Sequence, residues 1–222
     1  MSTNAPSHEI PAAIPEPDMR WSTLADPDTL ERTADSLRGK GYAVHVVDDL
    51  EAARELVVGL LPEGAEVSQG ASITLEATGI TAEIEGSGRF DAIRPKTRAL
   101  DYKTEEGRRT GRKMGASPEW WINSAHAVTT DGRIVIGSNT GSQLGPIAYG
   151  AGNVIFVIGA QKLVPDLDAG MRRLEEYSLP LESAKLFKAY GVPSAVNKIL
   201  VINKEFRPGR FTVVLVREAV GY

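Results

Sequence analysis

The segment Trp120–Lys162 constrains the fold more than any other part of this sequence. Apolar, strand-like runs alternate there with the loop Gly137–Gln143, which contains no large apolar side chain. An α/β fold uses such glycine- and hydroxyl-rich loops to present backbone N–H groups to an anionic ligand. The segment therefore predicts a site for a small anion and leaves the identity of that anion open.

The order of predicted elements indicates an α/β fold with a largely parallel sheet, because strands that alternate with helices build βαβ units. The predicted strands are Tyr42–Val47, Ala65–Ser68, Trp120–Val128, Ile134–Ile136, Val154–Ile158, Ile199–Asn203 and Phe211–Arg217, the last two joined by a turn at R-P-G-R. The predicted helices begin near Asp26, Asp49, Ile73, Asp101 and Pro165, and the last is expected to break at Pro180 and end near Tyr190.

Composition narrows the class of protein. The proline-rich start predicts a flexible tail over residues 1–20, followed by a single α/β domain over residues 21–222. The chain has no cysteine, which excludes thiolate metal sites and a cysteine nucleophile and favours the reducing cytoplasm. No apolar run is long enough to cross a bilayer, so no membrane association is expected. The net charge of −4 argues against nucleic-acid binding.

The first candidate loop is S-Q-G-A-S, in which Ser68, Gly70 and Ser72 are candidate ligand-binding residues. A strand that ends in small residues and opens a helix collects free N–H groups at one point. Glu76 follows one turn into that helix and is a candidate general base. The alternative is structural, with Ser72 capping the helix and Glu76 supporting its start.

The second candidate loop follows Ile136 and supplies four candidate ligand-binding residues, Asn139, Thr140, Gly141 and Ser142. Their small polar side chains suit close approach to a phosphate or carboxylate. The alternative is a tight connection that needs glycine for a positive φ. No nucleotide-binding motif occurs in this loop, because neither a Walker sequence nor G-x-G-x-x-G is present.

Further candidates lie at strand ends. Asn123 is a candidate ligand-binding residue, and His126 is a candidate acid or base because histidine titrates near neutrality; a hydrogen-bonded core histidine is the alternative. Lys162 follows the strand N-V-I-F-V-I-G and is expected to neutralise an anion or to pair with Asp166. No metal site is expected, since the three histidines are scattered.

A basic segment runs from Arg89 to Lys113, with nine basic residues against four acidic ones. Such a segment can steer an anionic substrate or contact a partner. A solvated helix face is the alternative, and the scarcity of aromatic residues argues against binding of RNA or DNA.

Two motifs in a fixed order carry a family resemblance. S-Q-G-A-S-I-T-L-E is followed, much later, by N-V-I-F-V-I-G-A-Q-K-L-V-P-D-L-D-A. Together they resemble the LUD (lactate-utilisation domain) family over roughly Asp26 to Phe206. The resemblance implies a Rossmann-like three-layer α/β/α sandwich related to the superfamily of ribose-phosphate isomerases, glucosamine-phosphate isomerases and CoA transferases. It also implies convergence of the two loops and Lys162 over the carboxyl ends of the strands.

The same resemblance implies a process, the oxidation of lactate to pyruvate alongside iron–sulfur partner subunits. This chain has no cysteine and cannot hold a cluster itself. The stretch A-H-A-V-T-T-D-G-R-I-V-I-G-S-N-T-G is also similar to a pattern of methylthioribose-phosphate isomerase and its relatives, in which an Asp stands where this chain has His126. That departure weakens an isomerase assignment.

Two hypotheses follow for function. The first is an accessory role in lactate utilisation, in which the chain binds a small anionic metabolite such as a carboxylate, a phosphosugar or a CoA ester. The second is a stand-alone isomerase or a CoA- or phosphosugar-type enzyme that uses Glu76 or His126. No cofactor is indicated. A homodimer is expected through exposed apolar surface such as the Trp120/Trp121 region.

Overall fold

The computed structural model describes residues 14–222, so most of the predicted N-terminal tail lies outside the described residues. The strands are β1 (Ala43–Val47), β2 (Glu66–Gln69), β3 (Asp91–Ala92), β4 (Trp120–Asn123), β5 (Ala127–Thr129), β6 (Ile134–Ser138), β7 (Asn153–Gly159), β8 (Leu163–Val164), β9 (Lys198–Ile202) and β10 (Phe211–Val216). The helices are α1 (Pro27–Gly39), α2 (Leu50–Leu60), α3 (Ile73–Ala77), α4 (Ile80–Gly86), α5 (Ile93–Arg98), α6 (Glu105–Ala116), α7 (Leu167–Arg173) and α8 (Leu179–Tyr190).

Six of these strands form a parallel central sheet in the order β1-β10-β7-β4-β2-β3. The two middle strands, β7 and β10, are buried at nearly every position and read as continuous apolar runs. That pattern is expected of parallel strands covered on both faces. All six strands point the same way, so their carboxyl ends share one edge of the sheet.

Helices flank this sheet in a Rossmann-like three-layer α/β/α arrangement, which confirms the predicted fold class. Helices α2, α3 and α4 cover one face through residues such as Val57, Leu75 and Ile84. Helix α1 and part of a second, smaller sheet cover the other face, where Leu37 and Ile136 pack with Phe156 of β7.

The smaller sheet has the order β8-β5-β6-β9 and departs from the predicted strands in two ways. The stretch predicted as one strand, Trp120–Val128, is two strands, because the chain leaves the central sheet after Asn123 and enters the small sheet at Ala127. The final two strands do not pair with each other. Strand β9 lies antiparallel to β6, whereas β10 lies in the middle of the central sheet, where its apolar residues are covered on both faces.

The last long helix continues past Pro180, contrary to the predicted break. A π-helical turn, Leu174–Ser178, joins α7 to α8, and the Leu179 N–H donates to the Leu174 carbonyl five residues earlier. Proline has no N–H to offer the carbonyl four residues before it. That carbonyl belongs to Glu176 and accepts instead from the Asp18 N–H at 2.9 Å. The chain ahead of α1 thus completes the hydrogen bonding of this helix.

None of the helices within residues 14–222 is long and apolar enough to cross a membrane.

Candidate functional site

A cavity of about 300 Å³ opens at the carboxyl edge of the central sheet. The loops that follow β2, β4 and β6 form its floor, and the helix from Leu174 to Leu186, the segment 194–196 and Tyr222 form its walls. Its polar lining includes Gln69, Ser72, Thr74, Asn123, Ser124, His126, Ser138, Asn139, Ser142, Gln143, Ser178, Glu182 and Ser194. This position is where open α/β sheets generally bind ligands.

Direct side-chain contacts hold the three floor loops together. Asn123 Nδ2 donates to Gln143 Oε1 at 3.0 Å, and Gln143 Nε2 donates to the Gly137 carbonyl at 2.8 Å. A Cβ atom at Gly70 would stand 2.5 Å from Asn123 Oδ1, so only glycine permits this approach. The small residues of the first candidate loop are therefore needed for packing as well as for access to the cavity.

The second candidate loop is divided between the cavity and the surface. Asn139 and Ser142 line the cavity, whereas Thr140 and Gly141 do not. Gly141 adopts a φ of +88°, and its N–H donates to Ser138 Oγ at 2.9 Å. This turn therefore serves both purposes. It requires glycine for its positive φ, and it places Asn139 and Ser142 at the cavity.

Lys162 lies directly beneath the cavity floor and is 1% exposed. Its Nζ lies 2.8 Å from Thr74 Oγ1 and 3.0 Å from Ser124 Oγ, and both of these residues line the cavity. Within residues 14–222, no carboxylate forms a salt bridge with it, so the predicted pairing with Asp166 does not occur. Burial, reinforced by the charge of Arg173, holds the pKa of Lys162 well below its ordinary value.

Arg173, on α7, is a second buried cation of the site, and no motif in the sequence pointed to it. The side chain is fully buried, and its Nε donates to the Trp21 and Gln161 carbonyls at 3.2 and 3.3 Å. Its Nη1 donates to the His126 carbonyl, and Nη2 is buried without a hydrogen-bond partner among the described residues. Burial lowers the pKa of Arg173 to about 10.

His126 lines the cavity, and it is held as a neutral imidazole. Burial and the charges of Lys162 and Arg173 lower its pKa to about 3. Its Nδ1 accepts from the Gly137 N–H at 3.1 Å, so the single proton of the neutral ring is on Nε2. His126 is thus suited to donate a hydrogen bond and is a poor base near neutral pH.

Two further residues at the cavity wall were also missed from the sequence. The Tyr222 hydroxyl donates to the Glu182 carboxylate, and both residues line the cavity. Burial and this carboxylate raise the pKa of Tyr222. Tyr222 and Glu182 are 40 residues apart in the chain, so no local sequence pattern could have paired them.

Of the remaining predicted site residues, Glu76 and Ser68 lie outside the cavity lining. Glu76 is exposed on α3, and Ser68 is buried within β2. Ser72 lines the cavity and also caps α3, since its Oγ accepts from the Leu75 N–H at 3.5 Å. Within residues 14–222, no group of three or more His, Cys, Asp or Glu side chains is arranged to hold a metal ion.

Two surface features differ from their expected roles. Trp121 is buried in one face of the central sheet and Trp120 packs against the other, so the pair offers no exposed apolar patch for a dimer. The homodimer stays a prediction without that support. Most of the basic segment is engaged in surface ion pairs, for example Arg98 with Glu85 at 2.7 Å and Arg108 with Glu105 at 3.0 Å.

A model of the LUD domain family matches residues 30–216. The chain belongs to this family. The family is associated with lactate utilisation. No curated protein matches the chain. A solved structure, the crystal structure of a DUF162 family protein from Deinococcus radiodurans, aligns with a TM-score of 0.53 at 15% identity, covering 87% of this chain and 99% of that one. At that identity, the likeness supports the fold of this LUD-domain chain and nothing finer.

Proposed function

We propose that this LUD-domain chain binds a small carboxylate in the cavity described above and serves lactate utilisation as an accessory subunit. The observation that carries the proposal is the pair of buried basic side chains, Lys162 and Arg173, near a polar cavity, neither of which has a carboxylate partner within residues 14–222. Isolated buried charge is costly unless it is paired and hydrogen-bonded. An anion in the cavity would supply the missing negative charge and would favour the protonated form of Lys162, whose pKa is otherwise held low by burial.

The size and lining of the cavity favour a short ligand. Its volume of about 300 Å³ is at the lower end of the range for small-molecule sites, which runs to about 1,000 Å³. Hydroxyl and amide groups cover the floor, whereas Leu174, Leu179 and Val196 contribute an apolar wall. A carboxylate directed at the floor with a short carbon chain against that wall fits this division.

The chain is not expected to oxidise lactate alone. It has no cysteine for an iron–sulfur cluster, and electron transfer would fall to partner subunits that hold such clusters. The purified chain should therefore show no lactate-dependent reduction of an artificial electron acceptor. Reduction by the chain alone would contradict the accessory role.

An isomerase that uses Glu76 or His126 is the competing function. A general base works best with a pKa near the working pH. The pKa of about 3 for His126 is far from that, and Glu76 lies outside the cavity lining. These observations favour binding of an anion over proton abstraction by either residue.

A thermal-shift screen with lactate, pyruvate and sugar phosphates tests the proposal. A ligand at a hundred times its Kd stabilises the folded state by about 2.7 kcal/mol. Lactate or pyruvate should raise the Tm, and the shift should be lost in Lys162→Met and kept in Lys188→Met, a matched control at an exposed lysine of α8. A shift with sugar phosphates alone would favour the isomerase, and no shift with any of these compounds would contradict a binding role.

A further inference from the structure

A serine of the cavity floor, Ser124, lies against the buried lysine beneath it, and the proposed binding role does not use this contact. Ser124 lines the cavity, and its Oγ lies 3.0 Å from the buried Nζ of Lys162. We propose that Ser124 and Lys162 form a nucleophile–base pair that accepts the acyl group of an activated ester of a short carboxylic acid. This inference rests on the proposed use of the cavity by a small carboxylate.

The hydrogen bonds around Lys162 set the direction of proton transfer. Thr74 Oγ1 lies 3.3 Å from the Val220 carbonyl, which can only accept, so the Thr74 hydroxyl proton is directed there. Thr74 Oγ1 must then accept from Lys162 Nζ at 2.8 Å. If Lys162 is neutral, its Nζ donates one proton to Thr74 Oγ1, and the lone pair of Nζ can accept the hydroxyl proton of Ser124. The other acceptor near Ser124 Oγ is the Ala125 carbonyl at 3.5 Å, the limit for a hydrogen bond.

Without a bound anion, the environment of Lys162 keeps it a base. No carboxylate pairs with it within the described residues, and both nearby titratable groups, Arg173 and His126, oppose or fail to assist its protonation. A serine activated by an adjacent base is a recurrent nucleophile in acyl transfer, and lysine is one of the bases that serve it. Thr74 is a positioning residue, since it acts only through Lys162.

The reaction balances with groups already present. Ser124 Oγ attacks the ester carbonyl carbon while its proton passes to Lys162 Nζ, and a C–O bond forms. The carbonyl oxygen becomes an oxyanion, for which Nε2–H of His126 is a hydrogen-bond donor in the same cavity. Collapse of the oxyanion breaks the bond to the leaving group, which takes the proton from Lys162. Water then releases the acid from Ser124 by the same steps.

The test treats the full chain with p-nitrophenyl acetate and follows nitrophenolate release, with peptide mapping to locate the acetyl group. We expect about one equivalent of rapid release and an acetyl group on Ser124. Removal of the nucleophile in Ser124→Ala or of the base in Lys162→Met should slow the burst by about 10²- to 10⁴-fold. Ser117→Ala is the matched control at an exposed serine outside the cavity lining and should keep the burst within about twofold.

Two further measurements test the role of Lys162 if Lys162→Met does not fold: the pH dependence of the burst rate and the burst in variants of Thr74. The wild-type burst rate, corrected with Ser124→Ala, should rise with pH and level off below the ordinary lysine pKa of about 10.4. Thr74→Ser should preserve the burst and Thr74→Val should reduce it at unchanged ester affinity. Absence of acetyl on Ser124 alongside an intact lactate thermal shift would overturn this inference alone. Loss of both would overturn the carboxylate site as well.

Discussion

Arg210 and Arg173 are both buried arginines, but among residues 14–222 a carboxylate pairs with Arg210 and none pairs with Arg173. Arg210 donates to Glu205 at 2.9 Å and to the carbonyls of Ala151, Pro146 and Ile147 at 3.0 to 3.1 Å. Arg173 reaches carbonyls and one serine hydroxyl, with its Nη2 unpartnered among the described residues. Arg210 closes a structural network away from the cavity.

Lys162 belongs with Arg173 in this comparison. It is buried, as Arg210 is, but no carboxylate among residues 14–222 pairs with it. Removal of one partner of a buried ion pair leaves the other charge buried and unpaired, at a large cost in stability. Buried cations beside an open polar cavity are instead available to a ligand anion. All three side chains are buried, so burial does not distinguish them. The presence of a carboxylate partner distinguishes the structural Arg210 from Arg173 and Lys162, which are available to a ligand.

The largest expected effect is the loss in free energy of unfolding when Arg210, the buried arginine that is paired with a carboxylate, is replaced. Arg210→Met leaves Glu205, whose side chain is 11% exposed, without this partner and removes a donor from three carbonyls. Breaking a buried pair in this way costs about 3–5 kcal/mol. Urea denaturation should show that loss in the free energy of unfolding. A loss below about 1 kcal/mol, the value of an exposed pair, would remove the contrast.

The second expected effect is a pH dependence of the free energy of unfolding that comes from His126, which lies near Lys162 and Arg173. The pKa of His126 is about 3 in the folded protein and about 6.5 in the unfolded chain. Between these values the unfolded chain binds a proton that the folded protein excludes. The free energy of unfolding should therefore fall as the pH drops from 6.5 toward 3, by up to about 1.4 kcal/mol per pH unit.

The variant His126→Asn isolates this contribution, since its amide oxygen can still accept from the Gly137 N–H. Urea denaturation of both proteins at pH 7, 6 and 5 should show a shallower pH dependence in the variant. Because the carboxylates titrate in both proteins, their contribution cancels in the difference. Parallel pH profiles would mean that His126 is not held neutral by its surroundings.

A smaller effect is expected from Lys162→Met in the absence of ligand. The side chains are similar in volume, and the Thr74 and Ser124 hydroxyls retain the Val220 and Ala125 carbonyls as acceptors. The free energy of unfolding should stay within about 1.5 kcal/mol of the wild type. A loss as large as that of Arg210→Met would show that Lys162 is structural.

The smallest effect is expected at Glu76, which the sequence indicated as a candidate base. Its side chain is exposed and does not line the cavity. Glu76→Gln should therefore leave the lactate-induced rise in Tm unchanged. A loss of that rise would return Glu76 to the site and support the isomerase hypothesis.

The sequence predicted the parallel sheet well, because the apolar runs of β7 and β10 are characteristic of strands buried on both faces. It could not predict that β9 and β10 belong to different sheets, since that choice depends on distant partners. Gly70, Asn123, Asn139 and Lys162 were recognisable from their places at strand ends. The family resemblance implied that the two candidate loops and Lys162 converge over those ends.

Arg173 could not be found in the same way. In the sequence it is one of two adjacent arginines on an amphipathic helix, and either would pass for a solvated charge. Arg172 is indeed half-exposed and pairs with Glu176 at 2.9 Å. Arg173 faces inward, and Glu182 and Tyr222 reach the cavity only through tertiary contacts that no local pattern encodes.

Calorimetric titration of lactate and pyruvate into the wild type, Lys162→Met and Lys188→Met measures whether Lys162 contributes to an anion site. We expect one saturable site in the wild type and in Lys188→Met. In Lys162→Met we expect a loss of about 1.5–3 kcal/mol of binding free energy, the usual contribution of a hydrogen bond to a charged group, which is roughly a 10- to 150-fold rise in Kd. Equal affinity in all three proteins would contradict the assignment of this buried lysine to an anion site.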